Sequence, residues 1–169
     1  MKGVKAPEAT DRHSAMDLRN PAVLAATGFG IGLLPTAPGT WGSLAALPFA
    51  WILQTWIGPW GLAAAIVLAF TLGLWSVGRI AGGPAGDDPG PVVIDEVAGQ
   101  WLTLLIVPPD LMLYAAGFLL FRLADILKPW PVCWADRAVK GALGVMLDDI
   151  LAALYAGAAL ALLAWWAGA

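Results

Sequence analysis

The chain has 169 residues, 60 % of them hydrophobic and 12 % charged, against roughly 45–50 % and about 25 % in soluble domains. That length suits one domain, and so little charge cannot cover a water-facing surface, so lipid is expected to replace water over much of it. Ten Trp fit a bilayer–water boundary, and a net charge of −3 argues against nucleic acid as a partner.

Residues 1–20 form a polar tail with no apolar stretch and no small-residue cleavage site, so they do not read as a signal peptide. Residues 21–169 form the single membrane-embedded domain. It opens with the glycine-studded run Ala22 to Leu34, thirteen residues long. As a helix this covers about 20 Å, short of a bilayer core of roughly 30 Å, so a re-entrant or interfacial segment is expected. Pro35 to Ser43 reads as a loop by composition, with Ser43 as N-cap of the apolar run Leu44 to Ile57. Gly58-Pro59-Trp60-Gly61 turns the chain, and Leu62 to Val77 returns. Arg79 to Pro91 is a Gly/Pro/Asp-rich loop ending at Asp95-Glu96. A second hairpin follows, Val97–Val107 and Leu111–Phe121 around the turn Pro108-Pro109-Asp110, with helices extended back to Asp95 and on to about Leu127. Lys128-Pro129-Trp130-Pro131 must interrupt the helix. After a polar connection from Arg137 to Asp149, Ile150 to Trp166 is a last apolar run. The fold class is all-α: a small helical membrane bundle of short hairpins.

If each hairpin crosses and returns, the loops sort by side. The turns at 58–61 and 108–110 and the C-terminus share one face, which carries a single charged side chain, Asp110. All nine Lys and Arg fall on the opposite face. The positive-inside rule makes that face cytoplasmic. The expected arrangement is therefore multi-pass, with the charged face toward the cytoplasm and bilayer lipids as partners.

Two counts prune the chemistry. His13 is the only histidine, which removes His-based nucleophile pairs and imidazole-rich zinc sites. Cys133 is the only cysteine and no Arg follows at phosphate-loop spacing, so it reads as a small apolar residue. Carboxylates and cations must do the work. Asp95, Glu96, Asp125, Asp148 and Asp149 cluster next to apolar helices on the cytoplasmic face. Asp148-Asp149 and Asp95-Glu96 could simply occupy helix N-termini, where the dipole favours negative charge. Two acidic pairs plus Asp125 at one depth fit a divalent-metal site better, and all-oxygen ligands point to Mg²⁺. Arg122 and Lys128 flank Asp125 at three-residue spacing, either as a salt-bridge ladder or as anion clamps. Asp136, Arg137 and Lys140 are weaker candidates. Around Gly39 and Gly42, backbone N–H groups with the Thr40 and Ser43 hydroxyls offer either a phosphate cradle or a rigid turn.

Four stretches resemble the phosphatidylglycerophosphatase A family of bacterial membrane lipid phosphatases, over roughly residues 20–165. They are Gly28-Phe29-Gly30 through Leu34-Pro35-Thr36-Ala37-Pro38-Gly39-Thr40-Trp41-Gly42-Ser43; Asp95-Glu96-Val97-Ala98-Gly99-Gln100-Trp101; Phe121-Arg122-Leu123-Ala124-Asp125 through Lys128-Pro129-Trp130-Pro131; and Gly144-Val145-Met146-Leu147-Asp148-Asp149. Ala142 departs from an expected Gly-Gly pair. The resemblance implies Mg²⁺-dependent dephosphorylation of phosphatidylglycerophosphate to phosphatidylglycerol. On that expectation Asp95, Glu96, Asp148 and Asp149 hold Mg²⁺, and Asp125 is a further ligand or the base. Arg122 and Lys128 neutralise phosphoryl oxygens, and Thr40 and Ser43 position the phosphate. Attack by water is favoured over an aspartyl-phosphate, since no Asp-x-Asp nucleophile signature is present. A CDP-alcohol phosphotransferase is excluded by the lack of its Asp-x2-Asp-Gly-x2-Ala-Arg run. Phosphatase action on another lipid phosphate, or a non-enzymatic cation-binding membrane bundle, remain the alternatives.

Overall fold

The computed structural model describes residues 16–80 and 90–168. The tail from 1 to 15, with His13, and most of the loop before Asp95 lie outside the described residues. Among the described residues the protein is all-helical, with no strand. The helices are α1 (Pro21–Ala26), α2 (Pro38–Trp56), α3 (Pro59–Ile80), α4 (Ile94–Leu104), α5 (Leu111–Leu127), α6 (Val132–Ala138) and α7 (Gly141–Ala167), with a 3-10 turn at Ile31–Leu33.

The first apolar run is broken, which is why it cannot span. Asn20 caps α1 by accepting from Ala22 N. Gly28, Phe29 and Gly30 then all take positive φ, and the chain reverses into the 3-10 turn. Helix α2 corrects one expectation: it begins at Pro38, with Ala37 as N-cap in the left-handed region, so Ser43 is not a cap. Pro38 fits the first turn because its fixed φ suits it and its missing N–H would have no helical partner there. Ser43 lies one turn inside, buried, and its hydroxyl donates to Gly39 O at 2.9 Å.

A second correction concerns α7. The helix starts at Gly141, so Asp148 and Asp149 sit about two turns inside and cap nothing. Residues expected as a polar connection, Arg137 to Asp149, form the end of α6 and the first turns of α7. Helix α5 ends at Leu127 as expected, with Lys128 in the left-handed conformation as C-cap.

Both hairpin turns lie at one end. Gln54 near the end of α2 donates to Leu104 O, and Tyr114 near the start of α5 donates to Gln54 Oε1. Leu160 and Ala164 of α7 join Leu62, Leu104 and Val107 in the apolar cluster there. At the other end, Ala22, Val23, Ile80, Ile94 and Met146 form a separate cluster. Asp110, the lone charge at the turn end among the described residues, is accounted for locally: it caps α5, accepting from Met112 N and Leu113 N.

Small residues let the helices close up. An added methyl at Gly99 of α4 would stand 2.7 Å from the Phe121 ring of α5 and 3.0 Å from Asp149 O of α7. Three helices therefore meet at van der Waals distance beside Asp149, as small residues permit in membrane bundles. Pro59–Ile80 and Gly141–Ala167 are each long and apolar enough to cross a bilayer. Large apolar side chains face outward along the bundle, Trp56, Trp60, Trp165 and Trp166 among them at the turn end.

Candidate active site

At the end opposite the hairpin turns, four elements deliver charge to one cavity of about 270 Å³. Helix α4 supplies Asp95 and Glu96 in its first turn, where no side chain caps the free N–H groups and the dipole favours anions. Helix α5 supplies Asp125 and, at its C-cap, Lys128; α6 supplies Asp136; α7 supplies Asp148 and Asp149.

The carboxylates divide into two sets. Asp95, Glu96 and Asp149 each present an oxygen, and these three lie within 4.8 Å of one another. Asp95 Oδ1, Glu96 Oε2 and Asp149 Oδ2 are buried without a hydrogen-bond partner. Buried like charges at such spacing need a shared proton or a cation between them. The hard oxygen donors and their orphaned atoms fit a divalent cation such as Mg²⁺.

Asp148 stands apart from that group. Successive helix residues point about 100° apart, and Asp148 Oδ2 accepts from Lys128 Nζ at 2.9 Å while Asp149 turns to α4. Lys128 also donates to Asp136. Burial pulls the Lys128 ammonium down, but its hydrogen bonds to Asp136 and Asp148 outweigh that and hold it above its ordinary value. The loop after it is pinned by Tyr155, whose hydroxyl donates to Trp130 O at 2.6 Å.

Arg122 reaches in from the α2 side. Its Nη1 is 2.8 Å from Asp125 Oδ2, 3.9 Å from Glu96 Oε1 and within 3.4 Å of Ser43 Oγ. Gly39 of α2 lies directly against Glu96 Oε1 and Arg122. The stretch from Pro38 to Ser43 therefore belongs to the wall of the site as the start of a helix. Thr40 is half-buried and Ser43 fully buried, and neither lines the cavity.

Sequence reasoning thus placed Asp95, Glu96, Asp125, Arg122, Lys128, Asp148 and Asp149 together, and the structure gathers all seven. It gave too little weight to Asp136, which lines the cavity on a short helix the sequence pattern hid. Its signal was the run of Pro and Trp before it, which forces the chain back toward Lys128.

The family model described as Phosphatidylglycerophosphatase A matches residues 24–164. The chain belongs to that family. It is 44 % identical over 140 residues to the phosphatidylglycerophosphatase A of Escherichia coli (strain K12), covering 82 % of this chain and 81 % of the relative. It is 37 % identical over 152 residues to that of Haemophilus influenzae, covering 89 % and 93 %. A Bacteroides thetaiotaomicron protein provisionally named a phosphatidylinositol-3-phosphatase is 40 % identical over 159 residues, covering 86 % and 95 %. No solved structure matches the chain. Family membership makes this protein a phosphatase, and a carboxylate cavity lined by Lys128, with Arg122 against its Asp125, has a composition that suits such a reaction.

Proposed function

We propose that the protein removes the terminal phosphate of phosphatidylglycerophosphate, leaving phosphatidylglycerol, with Mg²⁺ as its cofactor. The observation that carries this is one cavity that holds three orphaned carboxylate oxygens together with the Lys128 ammonium, with Arg122 paired to Asp125 at its edge. Asp95, Glu96 and Asp149 would hold the cation, which supplies positive charge against the phosphoryl oxygens and favours hydroxide over water. Lys128, kept protonated by Asp136 and Asp148, presents a fixed ammonium to the phosphate. Arg122, oriented by Asp125, adds a planar donor that suits phosphate. Asp125 lines the cavity and serves as acceptor for the proton of the attacking water. Ser43 acts indirectly, by supporting Arg122 from behind, and Thr40 lies in the first turn of the same helix.

We read the chain as multi-pass in a bacterial inner membrane. Arg19, Arg79, Arg122, Lys128, Arg137 and Lys140 all lie at the cavity end, and the positive-inside rule turns that end to the cytoplasm. Exposed Trp at both ends suits two interfaces: Trp130 and Trp134 beside the cavity, Trp56 and Trp165 opposite.

The test is phosphate release by purified protein in detergent, with Mg²⁺ and then EDTA, on phosphatidylglycerophosphate, phosphatidate and a phosphatidylinositol phosphate. Mg²⁺-dependent release selective for the first supports the proposal. The name of the Bacteroides relative favours a second headgroup reading, and release from the inositol lipid alone would move the substrate there. Conductance or Mg²⁺ binding with no release from any lipid phosphate would overturn the proposed activity.

A further inference from the structure

Gln100 is completely buried, and neither end of its amide has a hydrogen-bond partner. A group able to offer two donors and an acceptor is rarely left so deep with none of them used. It lies four residues after Glu96 on α4, hence on the same helix face, and helix side chains lean toward the N-terminus, which is toward Glu96.

Its neighbours fix the direction further. Gly99 faces Phe121 of α5, and Trp101 donates to Ala46 O of α2. Gln100 therefore occupies the sector of α4 between α5 and α2. In that gap Arg122 of α5 meets Ser43 of α2. Two other polar groups there are buried and unpartnered: Glu96 Oε2, an acceptor, and Arg122 Nε, a donor. The amide is complementary to both.

We propose that Gln100 is a positioning residue for the catalytic cavity: in the cation-loaded protein its Nε2 donates to Glu96 Oε2 and its Oε1 accepts from Arg122 Nε. The amide then holds the carboxylate toward the cation while fixing the guanidinium that faces phosphate. This rests on the reading that Asp95, Glu96 and Asp149 bind a divalent cation.

The test uses the full-length protein in detergent with Mg²⁺ alone as the probe. Q100M keeps the length of the side chain and removes both hydrogen-bonding ends. We expect its apparent Mg²⁺ dissociation constant, from calorimetry or thermal shift, to rise ~10-fold, as loss of an outer-shell ligand support does. The melting temperature in EDTA should stay level or rise, because an unpartnered buried amide has gone. The turnover lost at low Mg²⁺ should return only in part at high Mg²⁺, because Arg122 Nε still lacks its acceptor. A packing role predicts the opposite pattern: a lower melting temperature in EDTA with unchanged Mg²⁺ affinity, which would overturn the inference. Q100L is read by the same criteria where Q100M does not fold. If the wild-type protein binds no Mg²⁺, the cation reading fails and takes this inference with it; if wild type and Q100M bind alike, the inference alone fails.

Discussion

Replacing Gly39 with alanine puts one methyl group against Glu96 and Arg122, behind the carboxylate cavity. The new Cβ would overlap Glu96 Oε1 and stand 2.9 Å from Glu96 Cδ and 3.2 Å from Arg122 Nη1. Restoring ordinary contact at about 3.5 Å requires Glu96 Oε1 to retreat by about 1.5 Å. Glu96 has nowhere easy to go, since it is held among Asp95, Asp149 and Arg122. Overpacking of this kind costs roughly 1–3 kcal/mol of stability, and an error of about 1 Å at a reacting group costs on the order of 10²-fold in rate. G39A should therefore fold, melt lower and release phosphate about 10²-fold more slowly, with its Mg²⁺ affinity reduced. Gly78 of α3 is the control: its nearest neighbour would be Ala142 Cβ at 3.9 Å, so alanine fits. G78A should be neutral or gain about 0.5–1 kcal/mol from lower backbone entropy. Initial rates and thermal melts of both variants decide it. Wild-type activity in G39A would refute the contact between α2 and Glu96 as a determinant of the site.

Three further outcomes follow from the geometry. D149N should lose phosphate release by at least about 10²-fold and yet melt higher in EDTA, since one of three crowded buried carboxylates is neutralised; equal loss of activity and of metal-free stability would count against the cation site. D110A should cost about 1 kcal/mol through the lost N-cap of α5, with kcat unchanged because Asp110 lies at the far end of the bundle; a fall in kcat would contradict that separation. For Lys128 the folded pKa lies above its ordinary 10.5, so its stabilising contacts are complete below pH 10.5 and are lost only as pH rises through the higher value. The melting difference between wild type and K128M should therefore stay constant from pH 7 to about 9.5, and a difference that shrinks over that window would show Lys128 already losing its proton.

Much of the architecture was readable because it is written at the scale of whole segments. Apolar runs, turn residues between them and the sorting of Lys and Arg to one end need no tertiary information, and among the described residues the structure repeats them as two hairpins and a final long helix. Boundaries set by a single residue were harder. Ser43 looked like a cap because serine at the edge of an apolar run usually is one, yet Pro38 and a left-handed Ala37 start the helix six residues earlier. Asp148 and Asp149 looked equivalent because adjacency in sequence does not say which side of α7 faces α4. Only the packing of Gly99 against Phe121 and Asp149 O decides that Asp149 joins Asp95 and Glu96 while Asp148 turns to Lys128. Asp136 stayed a weaker candidate for a related reason: the Pro and Trp run signals that the chain doubles back, but not that this carboxylate lands on Lys128.

The place of Asp149 along α7 sets a depth. Eighteen residues separate it from Ala167, a rise of ~27 Å along the helix axis, close to the ~30 Å of a hydrocarbon core. In a bilayer matched to the helix, the carboxylates stand at the upper edge of the oil and the first two turns of α7 rise above it. Membrane thickness then becomes a control variable for the enzyme. Longer acyl chains would submerge the carboxylates and penalise the hydrated phosphate that must reach them; shorter ones would lift the cavity clear of its substrate's headgroups. Turnover in reconstituted bilayers should peak at intermediate chain length, a mismatch optimum fixed by counting residues below one aspartate.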